Sequence, residues 1–449
     1  MHLENLITSL APSAEGWLAQ VQEHFAQLTA KSNFYPLRFA ITHFEGGRAQ
    51  LETTALKFAP GEPYTEGLRE IEILEPKKLP PRAGPFVAVQ IIPTGIGCEI
   101  GGFAGDAAPV TNLLAAASEY VITHPNAVNA SDINHMEHNV LYVEGKLLDD
   151  FLLGHIALEP RRGNRVGTVV DPTGEAYLNI VLQTLNASLA SAGIRSDIYI
   201  RPNGQLGARV AWSSSGCAIG TVDRPDLLVD AVNQLLESGC DAIGAVSVIH
   251  GVSRQAFVDH QLYGRPNPSG GVEAIITHLI SKIFRVPSAH APLPYYTEHK
   301  RDCPIDPRSA AEFISTPHYF SVLKGLSRAP RPLPIAGIDV FNDRYIFSSD
   351  VRAIILPASA LGGIPALAAQ FNEIPIIAVR ENGTILAIDN RAMRFDNVIE
   401  VKSYAEAAGI ILALRYGISL SSIRRPLEPA KELRVEGYTA SLKVTKPRT

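Results

Sequence analysis

The sequence predicts an α/β protein: mainly parallel, Rossmann-like sheets covered by helices, with a small N-terminal α+β appendage. Three observations predict it. From Phe86 onward, apolar strand-like runs alternate with helix-like ones, the order that builds parallel sheets covered on both faces. Within that alternation, Phe86 to Pro109 (FVAVQIIPTGIGCEIGGFAGDAAP) and Arg352 to Pro365 (RAIILPASALGGIP) repeat one device. Each runs from a strand through Pro and small residues into a Gly-Gly pair that opens an Ala/Leu-rich helix, then returns to a strand ending in a polar tip. This is the βαβ unit, and open α/β sheets place their ligands beyond the carboxyl ends of such strands. Finally, a chain of 449 residues that is 46% hydrophobic and 19% charged has the apolar residues to fill two-sided sheets.

Residues 1–80 form the appendage. Trp17, Val21, Phe25 and Leu28 share one face of a helix over Ala14–Ala30, and the runs PLRFAITHF and AQLETTALKF, joined by Glu45-Gly46-Gly47-Arg48, read as a hairpin. A Pro-rich linker, Leu74–Pro85, leads into a first α/β region, 81–250. Its predicted strands are Val87–Ile92, Tyr120–Thr123, Val140–Val143, Val166–Val170, Asp197–Ile200 and Ala242–Ile249, and its helices Glu175–Ala192 and Pro225–Glu237. Residues 251–330, rich in His, Pro and Tyr, interrupt the alternation with helices at Gly271–Ile283 and Ala310–Leu326; long connections of this kind serve as lids or binding loops. The second α/β region, 331–418, carries strands at Ala353–Leu356, Pro375–Val379 and Asn397–Val401 and a helix at Ser403–Leu414. Residues 419–449 read as an irregular tail or oligomer arm.

A formal net charge of −5 gives no overall field that would attract nucleic acid or an anionic membrane. No segment reaches the roughly 18 uninterrupted apolar residues of a membrane span, and the N-terminus lacks the basic and apolar regions of a signal peptide, so a cytoplasmic location is expected. Cys98, Cys217, Cys240 and Cys303 are widely spaced without a C-x-x-C, which signals neither a disulfide framework nor a zinc site. His135 and His138 lie three apart, but no third ligand stands at diagnostic spacing, and no metal is expected.

In the first repeated loop, Thr94, Gly95, Gly97, Gly101 and Gly102 let backbone amides approach a ligand, and the following helix start favours an anion; glycines needed only for packing are the rival reading. The spacing is neither Walker A nor G-x-G-x-x-G. Asp106 beside this cradle reads as a base, a metal holder or a helix cap. His124, Asn126 and Asn129, beyond the strand Tyr120–Thr123, would form a second wall. Between His250 and His299 lie five of the thirteen histidines, the side chain best suited to proton transfer near neutral pH. There Ser269 could cap a helix whose Gly270 and Gly271 expose amides, with Glu273 on one face, His278 nearby and His290 on an ordered loop. Ser213-Ser214-Ser215-Gly216-Cys217, after the strand Ala208–Trp212, reads as a turn rather than a nucleophile. In the late unit Ser359, Gly362 and Gly363 begin a helix, and Arg380 could capture a carboxylate or phosphate.

Taken together, PTGIGCEIGGFAGDAAP, THPNAVNAS, GGVEAIITHL and ALGGIPALAA resemble a family of uncharacterised proteins, a domain of unknown function found chiefly in cyanobacteria and chloroplast-bearing organisms, over most of residues 85–415. The resemblance implies a cytoplasmic or plastid-stroma protein and supplies no activity and no cofactor. LGGIPALAAQFNEIPIIAV is also similar to the Leu-Gly-Gly helix and following strand of the nicotinate-nucleotide phosphoribosyltransferases of cobalamin synthesis, whose glutamate base has no placeable counterpart here. The expectation is a homo-oligomeric metabolic enzyme acting on a small anionic metabolite, phosphorylated ones included. His290 or His278 would do the acid/base work, and Asp106, Asn126 and Arg380 would orient the ligand. A non-catalytic ligand sensor or assembly partner, and a phosphoribosyltransferase-like transferase, are the alternatives.

Overall fold

A computed structural model describes residues 1–13, 16–31, 34–59, 75–128, 136–292, 318–427 and 429–430. Six parallel strands form the central sheet in the order 398–401, 376–379, 351–357, 87–90, 120–123, 140–142. Every residue of Val87–Gln90 and Ile376–Val379 is buried, as expected of parallel strands covered on both faces. The chain leaves the middle of this sheet in opposite directions. From 87–90 it steps through 120–123 to 140–142 at one edge, and from 351–357 through 376–379 to 398–401 at the other. The topological switch point therefore lies between 87–90 and 351–357, the strands that open the two repeated devices, paired in parallel from Val87 with Val351 to Gln90 with Ile355.

A second, four-stranded parallel sheet has the order 288–292, 242–247, 166–170, 198–200. The helices Glu175–Ala192 and Pro225–Glu237 occur with the predicted bounds. In the N-terminal region Phe34–Glu45 and Arg48–Lys57 pair as an antiparallel hairpin. Its two-residue turn, Gly46 and Gly47, has positive φ at both positions (57° and 78°), the conformation that matches the twist of the flanking strands. Trp17–Lys31 is helical. No helix among the described residues is long and apolar enough to cross a membrane.

Several elements differ from the sequence reading, among them strands at Ile156–Glu159, Ala218–Val222 and Arg331–Pro334 and a helix at Arg254–Tyr263. His2–Leu10 is a strand, paired along its whole length with 48–57. Gly145–Leu152 is a short helix. His290 lies not on a loop but on the strand Ser288–Pro292, whose proline is tolerated because the strand is the edge of the four-stranded sheet. Of the helix expected at Ala310–Leu326, His318–Ser327 is helical and residues 310–317 lie outside the described residues.

The N-terminal hairpin docks directly on the late Gly-Gly loop. Ile41 N–H donates to Gly362 C=O at 3.0 Å, and a Cβ on residue 362 would fall 2.2 Å from the Ile41 carbonyl oxygen. Only glycine permits that approach, which carries the strand 34–45 to the carboxyl end of the central sheet.

Candidate functional site

A cavity of about 290 Å³ opens at the switch point. Residues just past the ends of four central-sheet strands make its floor: Pro93 and Thr94 after 87–90, His124 and Asn126 after 120–123, Glu144 and Gly145 after 140–142, and Ala360 and Gly363 after 351–357. Glu273, Thr277 and His278 on the helix Gly270–Phe284, and His290 at the edge of the second sheet, form the opposite wall. Arg38 and Phe39 of the N-terminal hairpin close a third side. The place is that expected of a ligand site in an open α/β fold, with carboxyl-terminal residues of both sheets turned toward one space.

Glu144 is the most heavily bonded acid of the site. One carboxylate oxygen caps the helix Gly145–Leu152, accepting from Lys146 N–H at 2.8 Å and Leu147 N–H at 3.3 Å. The other accepts from the Thr277 hydroxyl at 3.0 Å and, in a short hydrogen bond, from His278 Nδ1–H. Burial alone would push this carboxyl up, but the His278 imidazole and the surrounding donors hold it below the ordinary range, so it is ionised. With Nδ1 fixed on a carboxylate, His278 presents Nε2, which has no partner among the described residues, on a side chain 16% exposed at the cavity wall. A histidine oriented by a buried acid is the standard form of a general base.

His290 is placed differently. Its Nδ1 lies 3.1 Å from Glu273 Oε2 and its Nε2 2.8 Å from Ser247 Oγ. The order of groups is that of a serine triad, yet Ser247 is fully buried and does not line the cavity. With both nitrogens engaged and a side chain 1% exposed, His290 holds Glu273 in position, and Glu273, 21% exposed, is the group of this set that meets the cavity.

Three more titratable residues line the cavity. His124 Nε2 accepts from Ile92 N–H at 2.9 Å, which puts the proton on Nδ1; burial pushes this histidine down to about 4, so it is neutral at pH 7. The Arg38 guanidinium makes no hydrogen bond or ion pair with any described residue. Burial lowers its pKa, against the pull of Cys217 and Glu52, but a guanidinium remains charged at neutral pH. Asp149 is pushed up to about 8 by burial, outweighing the Lys146 ammonium, with Asp150 and Glu144 adding to the rise. It therefore carries a proton at neutral pH. Arg38 is thus the cation of the lining, set opposite the two His–Glu pairs. The helix Ile364–Phe371 adds to this, since no side chain caps its first turn and Gly363, Ile364 and Ala366 line the cavity.

Behind the site, Lys146 pairs with Asp150, and Lys282 is buried and pushed down to about 7 by its surroundings, burial first. The two groups give stability opposite pH dependences. Asp149 titrates higher in the folded than in the unfolded chain, so the folded state binds the extra proton and stability falls as pH rises from about 4 to 8. Lys282 titrates lower when folded, so its penalty is full below pH 7 and disappears as pH rises toward 10. Asp149→Asn should therefore gain on the wild type by up to about 1.4 kcal/mol per pH unit between pH 5 and 8, measured by urea denaturation. Lys282→Met should gain most below pH 7. Parallel wild-type and Asp149→Asn profiles would show that the carboxyl is ionised.

Of the residues singled out from the sequence, the cavity brings together Thr94, His124, Asn126, Gly270, Glu273, His278, His290 and Gly363. Asn129 lies outside the described residues. Gly95, Gly97, Gly101, Gly102 and Gly271 do not line it. They make close packing contacts instead, a Cβ on Gly102 falling 2.1 Å from Cys98 O and one on Gly271 2.2 Å from Ala218 O. Gly362 packs on Ile41, and Ser359 Oγ bonds Thr384 Oγ1 at 2.9 Å. Asp106 lies off the wall beside a helix whose N-cap is Ala107, and Arg380 is exposed at the end of its strand. Arg38, Glu144 and Asp149 were not anticipated. Glu144 had a signal in the same form as His124, a polar residue just past a predicted strand; Arg38, inside an alternating strand, had none.

Residues 87–424 match the model of a family described as "Protein of unknown function (DUF3326)". The chain is 36% identical over 345 residues to an uncharacterized lipoprotein of Synechococcus sp. (strain ATCC 27144 / PCC 6301 / SAUG 1402/1), an alignment covering 75% of this chain and 93% of that protein. No solved structure matches it. Glu144, Asp149, Glu273, His278 and His290 fall inside the family match, and Arg38 lies before it.

Proposed function

The chain belongs to this family of unknown function, and we propose that it is an enzyme that binds a small anionic metabolite in the switch-point cavity and acts on it by acid/base chemistry. The observation that carries the reading is the Glu144–His278 pair in one cavity with Arg38, a cation that has no partner among the described residues. Arg38 and the first turn of the Ile364 helix would take a carboxylate or phosphate. His278 Nε2 would remove a proton from the bound ligand, with Glu144 stabilising the imidazolium that forms. The protonated Asp149 and the Nδ1–H of His124 are donors on the same lining, suited to an oxygen on which charge develops.

Acid/base work is favoured over covalent catalysis because the serine nearest a histidine, Ser247, is sealed from the cavity. A cytoplasmic or stromal location belongs to the same proposal; the word lipoprotein in the relative's name would instead place the chain at a membrane through an attached lipid. The test is a thermal-shift screen of small anionic metabolites, then turnover assays on the ligands found. His278→Asn should keep ligand affinity and lose turnover. Saturable binding with no turnover by the wild type would make the protein a ligand sensor.

A further inference from the structure

A second cavity, of about 270 Å³, adjoins the first and shares Arg38, Thr94 and Gly363 with it. The N-terminal hairpin frames it. Cross-strand pairing of Arg38 with Thr54 and Ala40 with Glu52 puts Arg38 and Glu52 on one face of the hairpin, as diagonal neighbours. Side chains of this length at such positions are within reach of each other. They nevertheless form no ion pair, and both line the cavity. Glu52 is held by one oxygen only, Oε1 accepting from Gln50 Nε2 at 3.1 Å and Ser215 N–H at 3.3 Å, which leaves Oε2 without a donor among the described residues. A third group is unsatisfied: Thr42, 5% exposed on the same lining, has a hydroxyl with no hydrogen-bond partner among the described residues. The rest of the wall is mainly apolar, with Ile41, Ile96, Ile219 and Leu386.

A cation and an anion that could neutralise each other but stand apart around a small space are complementary to a molecule carrying both charges. We infer that the second cavity is a binding site for a zwitterionic amino carboxylate of amino-acid size, its carboxylate on Arg38, its ammonium on Glu52 and its side chain against the apolar wall. Glu52 excludes simple anions from this compartment by like-charge repulsion, and Arg38 excludes simple amines. Because Arg38 borders both cavities, the amino carboxylate and the anion of the first cavity meet at one guanidinium, so filling one compartment alters affinity in the other. The arrangement is that of a co-substrate or of an effector acting at the mouth of the first site. It shares Arg38 with the anion site proposed above, but Glu52 is unique to it.

The twenty free L-amino acids, their N-acetyl and amide derivatives, and inorganic phosphate serve as probes in thermal-shift and saturation-transfer NMR measurements on the full chain. At least one free amino acid should bind saturably, and blocking either its amine or its carboxylate should weaken it at least tenfold. Glu52→Gln, isosteric and still able to accept from Ser215, should weaken that amino acid at least tenfold without weakening phosphate, whose repulsion it removes, whereas Arg38→Met should weaken both. Binding of no free amino acid to the wild type, or undiminished binding by Glu52→Gln, overturns the inference. Amino-acid binding without phosphate binding would sink the anion reading of the first cavity and leave this one standing.

Discussion

Arg38→Met is expected to remove binding of phosphate and of carboxylated ligands while raising the melting temperature of the protein. The two effects share one cause. In the unliganded chain the half-buried guanidinium has no acid or carbonyl to bond among the described residues, and a charge partly withdrawn from water without a hydrogen-bond partner costs stability. Methionine keeps the apolar stem and removes the charge, so the folded state should gain, by about 1–3 °C for a chain of this size. With ligand present the balance reverses, because a charge-assisted bidentate contact to a carboxylate or phosphate contributes about 1.5–3 kcal/mol, or roughly 10- to 150-fold in Kd. Calorimetric titration with phosphate and a thermal melt measure the two halves separately. A variant that melts lower and binds as well as the wild type would mean that Arg38 has a structural partner and no ligand.

The second large effect is on turnover. His278→Asn and Glu144→Gln should each lower kcat by about 100-fold or more, and the double variant should be little worse than the more damaged single one, since a base and the acid that orients it act as a unit. Stability should separate them. Glu144 is buried with four hydrogen bonds, including the cap of the Gly145 helix, so Glu144→Gln should cost about 1–3 kcal/mol. His278 sits at the cavity edge, and its loss should cost less than that. Additive losses in kcat would mean that the two residues serve separate steps.

How much of this was legible in the sequence depends on which contacts are local. The two strand–loop–helix units were readable because a buried strand running into a small-residue loop is a local pattern, and they proved to be the adjacent strands on either side of the switch point. His278, Glu273 and His290, which line one cavity, stood out by their crowding into one segment. Within the Gly-rich loop, however, close approach of backbone to a ligand and close approach of backbone to backbone demand the same residue. Gly102 against Cys98 and Gly362 against Ile41 are of the second kind, and sequence does not separate the two. Glu144 was hidden because a lone acid after a strand is also what a helix cap looks like, and it is both. Arg38 reaches the cavity because its strand docks on the late Gly-Gly loop, Ile41 bonding Gly362 and Ala40 bridging Gly363, contacts between residues more than 300 positions apart that leave no trace in either local pattern. Arg380 had the more suggestive setting at a strand end, and it faces solvent.

The central claim, an anion site at the switch point built on Arg38, is tested most directly by a crystal structure of the protein with tungstate, a heavy phosphate isostere located by its anomalous signal. The account predicts tungstate in the cavity, hydrogen-bonded to the Arg38 guanidinium near the start of the Ile364 helix and facing His278 Nε2. Tungstate bound at the Gly95–Gly102 loop or at Arg380, with the cavity empty at saturating concentration, would contradict it.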